Sequence, residues 1–95
     1  MSDSVMTREM KLLNRYGMHV RPAGLFVKVA SRYDAEVMVE KDGNVVSGKS
    51  IMALMTLEAI CGTVLKVTAS GPQAEEVLNE LAGLVERKFD ISDEQ

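Results

Sequence analysis

GNVVSGKS, running from Gly43 to Ser50, is compatible with two different folds. Gly43, Gly48, Lys49 and Ser50 stand at the G-x-x-x-x-G-K-[ST] spacing of a phosphate-binding P-loop. Val37-Met38-Val39 before it and Ile51-Met52-Ala53-Leu54-Met55 after it supply the flanking strand and helix such a loop needs. A different reading divides the same residues among a hairpin turn, a returning strand and a helix cap. Asp42-Gly43 or Gly43-Asn44 is a strong hairpin signal. The β-branched pair Val45-Val46 then favours a strand over a phosphate-cradling loop.

Working outward, the rest of the chain sides with the hairpin. A P-loop fold needs a parallel sheet, and each βαβ unit takes roughly 30 residues or more. A chain of 95 residues leaves little room for that. The later strand candidate ends Thr68-Ala69-Ser70-Gly71, with no acid to hold magnesium. Before the hairpin, Met6, Met10 and Leu12 alternate with Thr7, Glu9 and Lys11, which predicts a half-buried strand that Arg8 interrupts. Asn14-Arg15-Tyr16-Gly17 reads as a turn. From Val20 the period becomes helical, and Phe26, Val29, Ala30 and Tyr33 are predicted to share one face. Pro22 fits the first turn, where its missing N–H costs no helical bond.

After the hairpin, Ile51 to Leu57 predicts a short helix. Cys61-Gly62-Thr63 turns into a strand over Val64 to Ala69. A longer helix follows Gly71-Pro72, with Val77, Leu78, Leu81, Leu84 and Val85 as its stripe and Glu75 and Glu76 at its positive end. The tail from Ile91 to Gln95 is expected to fray. The order is βαββαβα. Its wet outer strand positions predict an α+β fold, an antiparallel sheet with helices packed on one face. Residues 1–95 are expected to form one domain, with a core over about 6–89.

Composition narrows the function. Hydrophobic residues make up 46% and charged residues 26%, which is globular. Aromatics are 4%, so the core must be aliphatic and rich in methionine. The formal charge of −3 makes nucleic acid a poor partner. Cys61 is the single cysteine, so no internal disulfide can form and a cytoplasmic location is expected. No role is assigned to Cys61. No signal peptide or membrane-spanning run is read, so no membrane insertion is expected.

The single histidine, His19, lies in Gly17-Met18-His19-Val20-Arg21-Pro22-Ala23-Gly24, where a turn meets a helix start. A helix N-terminus offers unpaired N–H groups and a positive dipole end. Both attract an anion and work against a second positive charge. Arg21 adds a guanidinium two residues on. The position suits an imidazole that carries a phosphoryl group. The plainer alternative is a histidine that only caps or decorates the helix, with Arg21 a solvated charge. Ser50 likewise reads first as an ordinary N-cap of the short helix.

The stretch from Asn14 to Ala23 resembles the active-site signature of the HPr family, histidine-containing phosphocarriers of the bacterial phosphotransferase system. A second block, Gly48 to Met55, resembles that family's regulatory serine region. The resemblance covers about Arg8 to Phe89. It implies an open-faced β-sandwich, a four-stranded antiparallel sheet with three helices on one face. It implies that His19 accepts a phosphoryl group from phospho-enzyme I through Nδ1 and passes it to enzyme IIA domains, with Arg21 stabilising the group in transit. It implies that Ser50 is phosphorylated by an HPr kinase/phosphorylase. A monomer that needs no cofactor or metal, and is a carrier rather than an enzyme, is expected. Gly24 departs from the alanine or threonine common in relatives. A helix of this length cannot bury both apolar faces, so Ile51, Met52 and Met55 are expected to lie exposed and, with Gly24, to form a docking patch.

Two other classes follow from the same residues. One is a regulatory interaction module working through Ser50 alone, or a nitrogen-type branch of the system. The other is a nucleotidase built on GNVVSGKS.

Overall fold

The structure, a computed structural model, describes residues 4–91. Of the tail expected to fray, Ile91 instead packs against the core and its N–H donates to Lys88 O, and the rest lies outside the described residues. The hairpin reading holds. Strand β2 (Glu36–Lys41) pairs antiparallel with β3 (Asn44–Ser47), and Lys41 faces Asn44 across the end of the ladder. The turn is therefore Asp42-Gly43, with φ of 52° and 86°. Two successive positive φ angles are what a tight turn needs to match the twist of its strands. Of the two turn registers open from sequence, Asp42-Gly43 is the observed one, and Asn44 already belongs to β3.

Two further strands complete the sheet: β1 (Ser4–Lys11) and β4 (Val64–Gly71). The order is β1-β4-β2-β3, and every neighbouring pair is antiparallel. Side chains alternate across it. Met10, Val37, Val39, Leu65, Val67 and Ala69 are buried beneath the helices. The other face is polar: Thr7 meets Thr68 through their hydroxyls at 3.0 Å, and Lys66 lies in register between Glu9 and Glu40.

Helices α1 (Val20–Ala30), α2 (Ile51–Thr56) and α3 (Ala74–Glu86) cover the inner face. This is the α+β open-faced sandwich. Phe26, Leu54, Leu78 and Leu81 are fully buried between the layers. Among the described residues, no helix is long and apolar enough to cross a membrane.

Two expectations are corrected. Tyr33 is not on the α1 face, because the helix ends at Ala30. The N–H groups of Ser31 and Arg32 bond back to Val27 O and Val29 O, closing the last turn. Tyr33 lies beyond, held by its hydroxyl donating to Glu80 of α3, which also pairs with Arg32 at 3.2 Å. Arg8 does not break β1. It sits on the inner face of this edge strand, and its guanidinium reaches Leu78 O at 3.3 Å and Asn79 Oδ1 at 2.8 Å on α3. The stem covers apolar surface while the head meets polar groups.

Candidate functional site

The loop from β1 to α1 is tied to the loop before β4. Leu12 N–H donates to Thr63 O at 2.8 Å, and Gly62 N–H to Leu12 O at 2.7 Å. Met18 N–H donates to Ala59 O at 2.8 Å, and the Met18 side chain is buried. Gly17 has φ +66°, and a Cβ there would lie 2.2 Å from Ala59 O. No side chain fits, so glycine is required for the two loops to lie this close.

His19 is the N-cap of α1, with extended backbone at φ −92° and ψ −171°. Its carbonyl accepts the first helical bond from Ala23 N–H at 3.0 Å. Its side chain makes no cap hydrogen bond, so the half-buried ring is not spent on holding the helix. Tyr16 packs edge-on against it, with ring centroids 6.1 Å apart. Arg15 lies over the other end of this row, 5.3 Å from the Tyr16 centroid. The sequence reading missed this row, and the only signal was one exposed aromatic beside the histidine. Arg21 is exposed in the first turn of α1, and Pro22 is buried behind it. No acidic side chain occupies that turn, so charge there favours an anion.

Ser50 is the N-cap of α2, and its Oγ accepts from Ala53 N–H at 3.1 Å. The residues before it explain the P-loop spelling. Gly48 N–H donates to Val37 O at 2.7 Å, and a Cβ at Gly48 would fall 2.7 Å from Val37 Cγ1 and 3.2 Å from Phe26 Cε1. This glycine lets the chain cross the core. Its N–H is engaged by Val37 O rather than open to a ligand, and Gly43 belongs to the hairpin turn. A P-loop is thereby excluded.

The faces of α2 divide as its length requires. Leu54 and Leu57 are buried, whereas Ile51, Met52 and Met55 are 38%, 79% and 41% exposed. Gly24 faces this helix from α1, and a Cβ there would lie 3.8 Å from Ile51 Cδ1. Gly24 follows His19 by about 7.5 Å along the helix axis. Gly24 and Ile51 thus meet where α1 approaches α2, and Met52 and Met55 lie exposed on the same short helix as Ile51. Ser50 and His19 cap different helices and share no hydrogen bond among the described residues. Ile60 at 71% and Tyr16 at 52% add exposed apolar surface that the sequence reading did not assign. Two clefts, of about 380 and 250 Å³, are lined by other residues, and neither includes His19, Arg21 or Ser50. Both candidate acceptors, His19 and Ser50, are partly exposed.

A family model described as the PTS HPr component phosphorylation site matches residues 6–87. The chain belongs to the HPr family. It is 37% identical to the phosphocarrier protein HPr of Treponema pallidum, over 90% of this chain and 98% of that protein. It is 43% identical to the HPr-like protein Crh of Bacillus subtilis, over 76% of this chain and 85% of that one. The crystal structure of HPr-C-His from Thermoanaerobacter tengcongensis superposes with a TM-score of 0.87 at 39% identity, covering 92% of this chain and 98% of that chain. HPr proteins are phosphocarriers of the phosphotransferase system, so the chemistry to be explained is phosphoryl carriage.

Proposed function

We propose that His19 is the phosphoryl acceptor, taking the group from phospho-enzyme I and delivering it to enzyme IIA domains. The observation that carries this reading is the place of His19: an N-cap whose ring makes no cap bond, at a helix end that favours anions. The imidazole nitrogen attacks phosphorus, a P–N bond forms as the donor's bond to phosphorus breaks, and the reverse exchange passes the group on. Arg21, in the first turn, would offset charge on the phosphoryl oxygens. Gly24, Ile51, Met52 and Met55 would dock the partners, and methionine suits a surface that must fit several of them. Ser50 would receive a regulatory phosphate from an HPr kinase/phosphorylase. Its negative charge would then oppose partners that deliver another phosphoryl group. The working species is a monomer in the cytoplasm.

Incubation with enzyme I and phosphoenolpyruvate tests the reading. The expected product is an acid-labile, base-stable phosphate on His19, absent from His19→Ala. Label that persists in that variant would refute it. A module regulated through Ser50 alone is the second reading, prompted by the 43% identity to an HPr-like protein. It predicts modification of Ser50 with no labelling of His19.

A further inference from the structure

We propose that Asn14 is a positioning residue that sets the backbone beneath His19. The inference rests on His19 as the phosphoryl acceptor. Asn14 is the one buried polar side chain among the described residues, only 5% exposed. Its Nδ2 donates to Gly17 O at 2.7 Å. Its own carbonyl accepts from Gly17 N–H at 3.2 Å. Asn14 therefore grips Gly17 at both its N–H and its C=O. Gly17 O also accepts the N–H of His19 at 3.0 Å. A single carbonyl thus links the buried amide to the histidine backbone.

The need for such a grip follows from Gly17 itself. Glycine at φ +66° is required by the close approach of Ala59, yet glycine is also the residue most able to leave that conformation. The Asn14 amide offsets that freedom. It holds the peptide on which the N-cap direction of His19 depends, and with it the aim of the imidazole. The direction of the hydrogen bond is fixed by chemistry, since only the amide nitrogen can face a carbonyl oxygen. Asn14 Oδ1 is buried with no hydrogen-bond partner among the described residues, so the polar work of this side chain is done through Nδ2.

Asn14→Asp tests the donor directly, because it keeps the shape and replaces the donor with an acceptor. Asn14→Ala removes the side chain and serves where the charged variant does not fold. In both, backbone exchange of the His19 N–H should rise about tenfold while the amides of β4 and β2 keep their protection. The Tyr16–His19 ring contacts should weaken in NMR spectra. With enzyme I and phosphoenolpyruvate, the maximal rate of labelling should fall about tenfold with KM unchanged, as small misplacement of a reacting group implies. An Asp variant with the wild-type exchange and rate would overturn the proposal. So would a change in KM alone, which would mark a docking residue, or global unfolding of both variants, which would mark a scaffold residue. If the wild-type chain takes no label on His19, the phosphocarrier reading fails, and the exchange of the His19 N–H still decides whether Asn14 holds it.

Discussion

Ser50 allows stability and function to be separated, because two substitutions should rank oppositely in the two assays. The Ser50 hydroxyl accepts one bond, from Ala53 N–H at 3.1 Å, in the first turn of a six-residue helix. Ser50→Ala removes that acceptor. Loss of an N-cap of this kind costs about 1 kcal/mol, which lowers the melting temperature by roughly 4–8 °C in a chain of this size. Ser50→Asp keeps an acceptor and adds a charge that the helix end favours by about 0.3–1 kcal/mol. Its stability should stay close to wild type. In transfer from phospho-enzyme I the order reverses. The alanine variant adds no charge and should be labelled at the wild-type rate. The aspartate variant sets a negative charge against an incoming phosphoryl group on a partly exposed surface. A penalty on the order of 1–2 kcal/mol slows transfer about tenfold. Thermal melts and initial labelling rates on the three proteins give the comparison. An aspartate variant that is labelled as fast as wild type would refute the electrostatic reasoning. An alanine variant that melts with wild type would show that the Ser50 cap contributes nothing to α2.

Other perturbations probe the scaffold around the site. Gly24→Ala should raise stability by about 0.5–1 kcal/mol, because it removes a glycine from a helix interior; its Cβ would lie in ordinary contact, 3.8 Å from Ile51 Cδ1. A lowered melting temperature would mean that α1 and α2 pack more closely there than the structure has them. Gly48→Ala should lower stability by roughly 1–3 kcal/mol through overpacking, since its Cβ would press to 2.7 Å from Val37 Cγ1; unchanged denaturant midpoints would contradict this. The Tyr33 phenol is held above its ordinary pKa of 10.0, first by its hydrogen bond to Glu80 and then by desolvation. The folded value exceeds the unfolded one, so this contribution is intact below pH 10 and lost as pH rises through the folded value. Tyr33→Phe should flatten the alkaline fall in stability above that pH, and melts from neutral to alkaline pH would check it.

The sequence made the fold legible wherever burial repeats with a local period. The alternation in β1 and β2 and the stripe from Val77 to Val85 needed only the spacing of apolar residues. So did the exposure of Met52 and Met55, because a helix of six residues has too little length to bury two faces. What stayed hidden depends on residues far apart in the chain. Arg8 looked like a fault in a strand because its partners, Leu78 and Asn79, come 70 and 71 positions later. Tyr33 fits a helical period, but Glu80, 47 positions away, decides where it goes. Phe89 is buried in a short turn, Lys88–Asp90, in which all three residues have positive φ. Such backbone costs about 1–2 kcal/mol per residue. Burial of a phenylalanine, about 1.5–3 kcal/mol, offsets part of that cost, and no local pattern announces it. At the site, Pro22 and Gly17 marked the junction at His19. Asn14 and Tyr16 did not declare themselves, since each matters through a bond or ring contact that only the folded loop creates.

Both candidate phosphate acceptors are helix N-caps, and their difference lies in what each side chain already does. The Ser50 hydroxyl is engaged with Ala53 N–H, so a phosphate on Oγ must take over or release that bond. Modification there acts on α2 itself, the helix that carries Ile51, Met52 and Met55. The His19 ring makes no cap bond, so gaining or losing a phosphoryl group there breaks no bond that holds α1. A carrier needs that independence, because it must be loaded and unloaded repeatedly without remaking its fold each time. A regulatory site gains from the opposite arrangement, in which modification reaches the surface that partners touch. On this argument α1 should be equally protected from exchange with and without phosphate on His19, apart from its first turn. Phosphate on Ser50 should instead change exchange along the whole of α2.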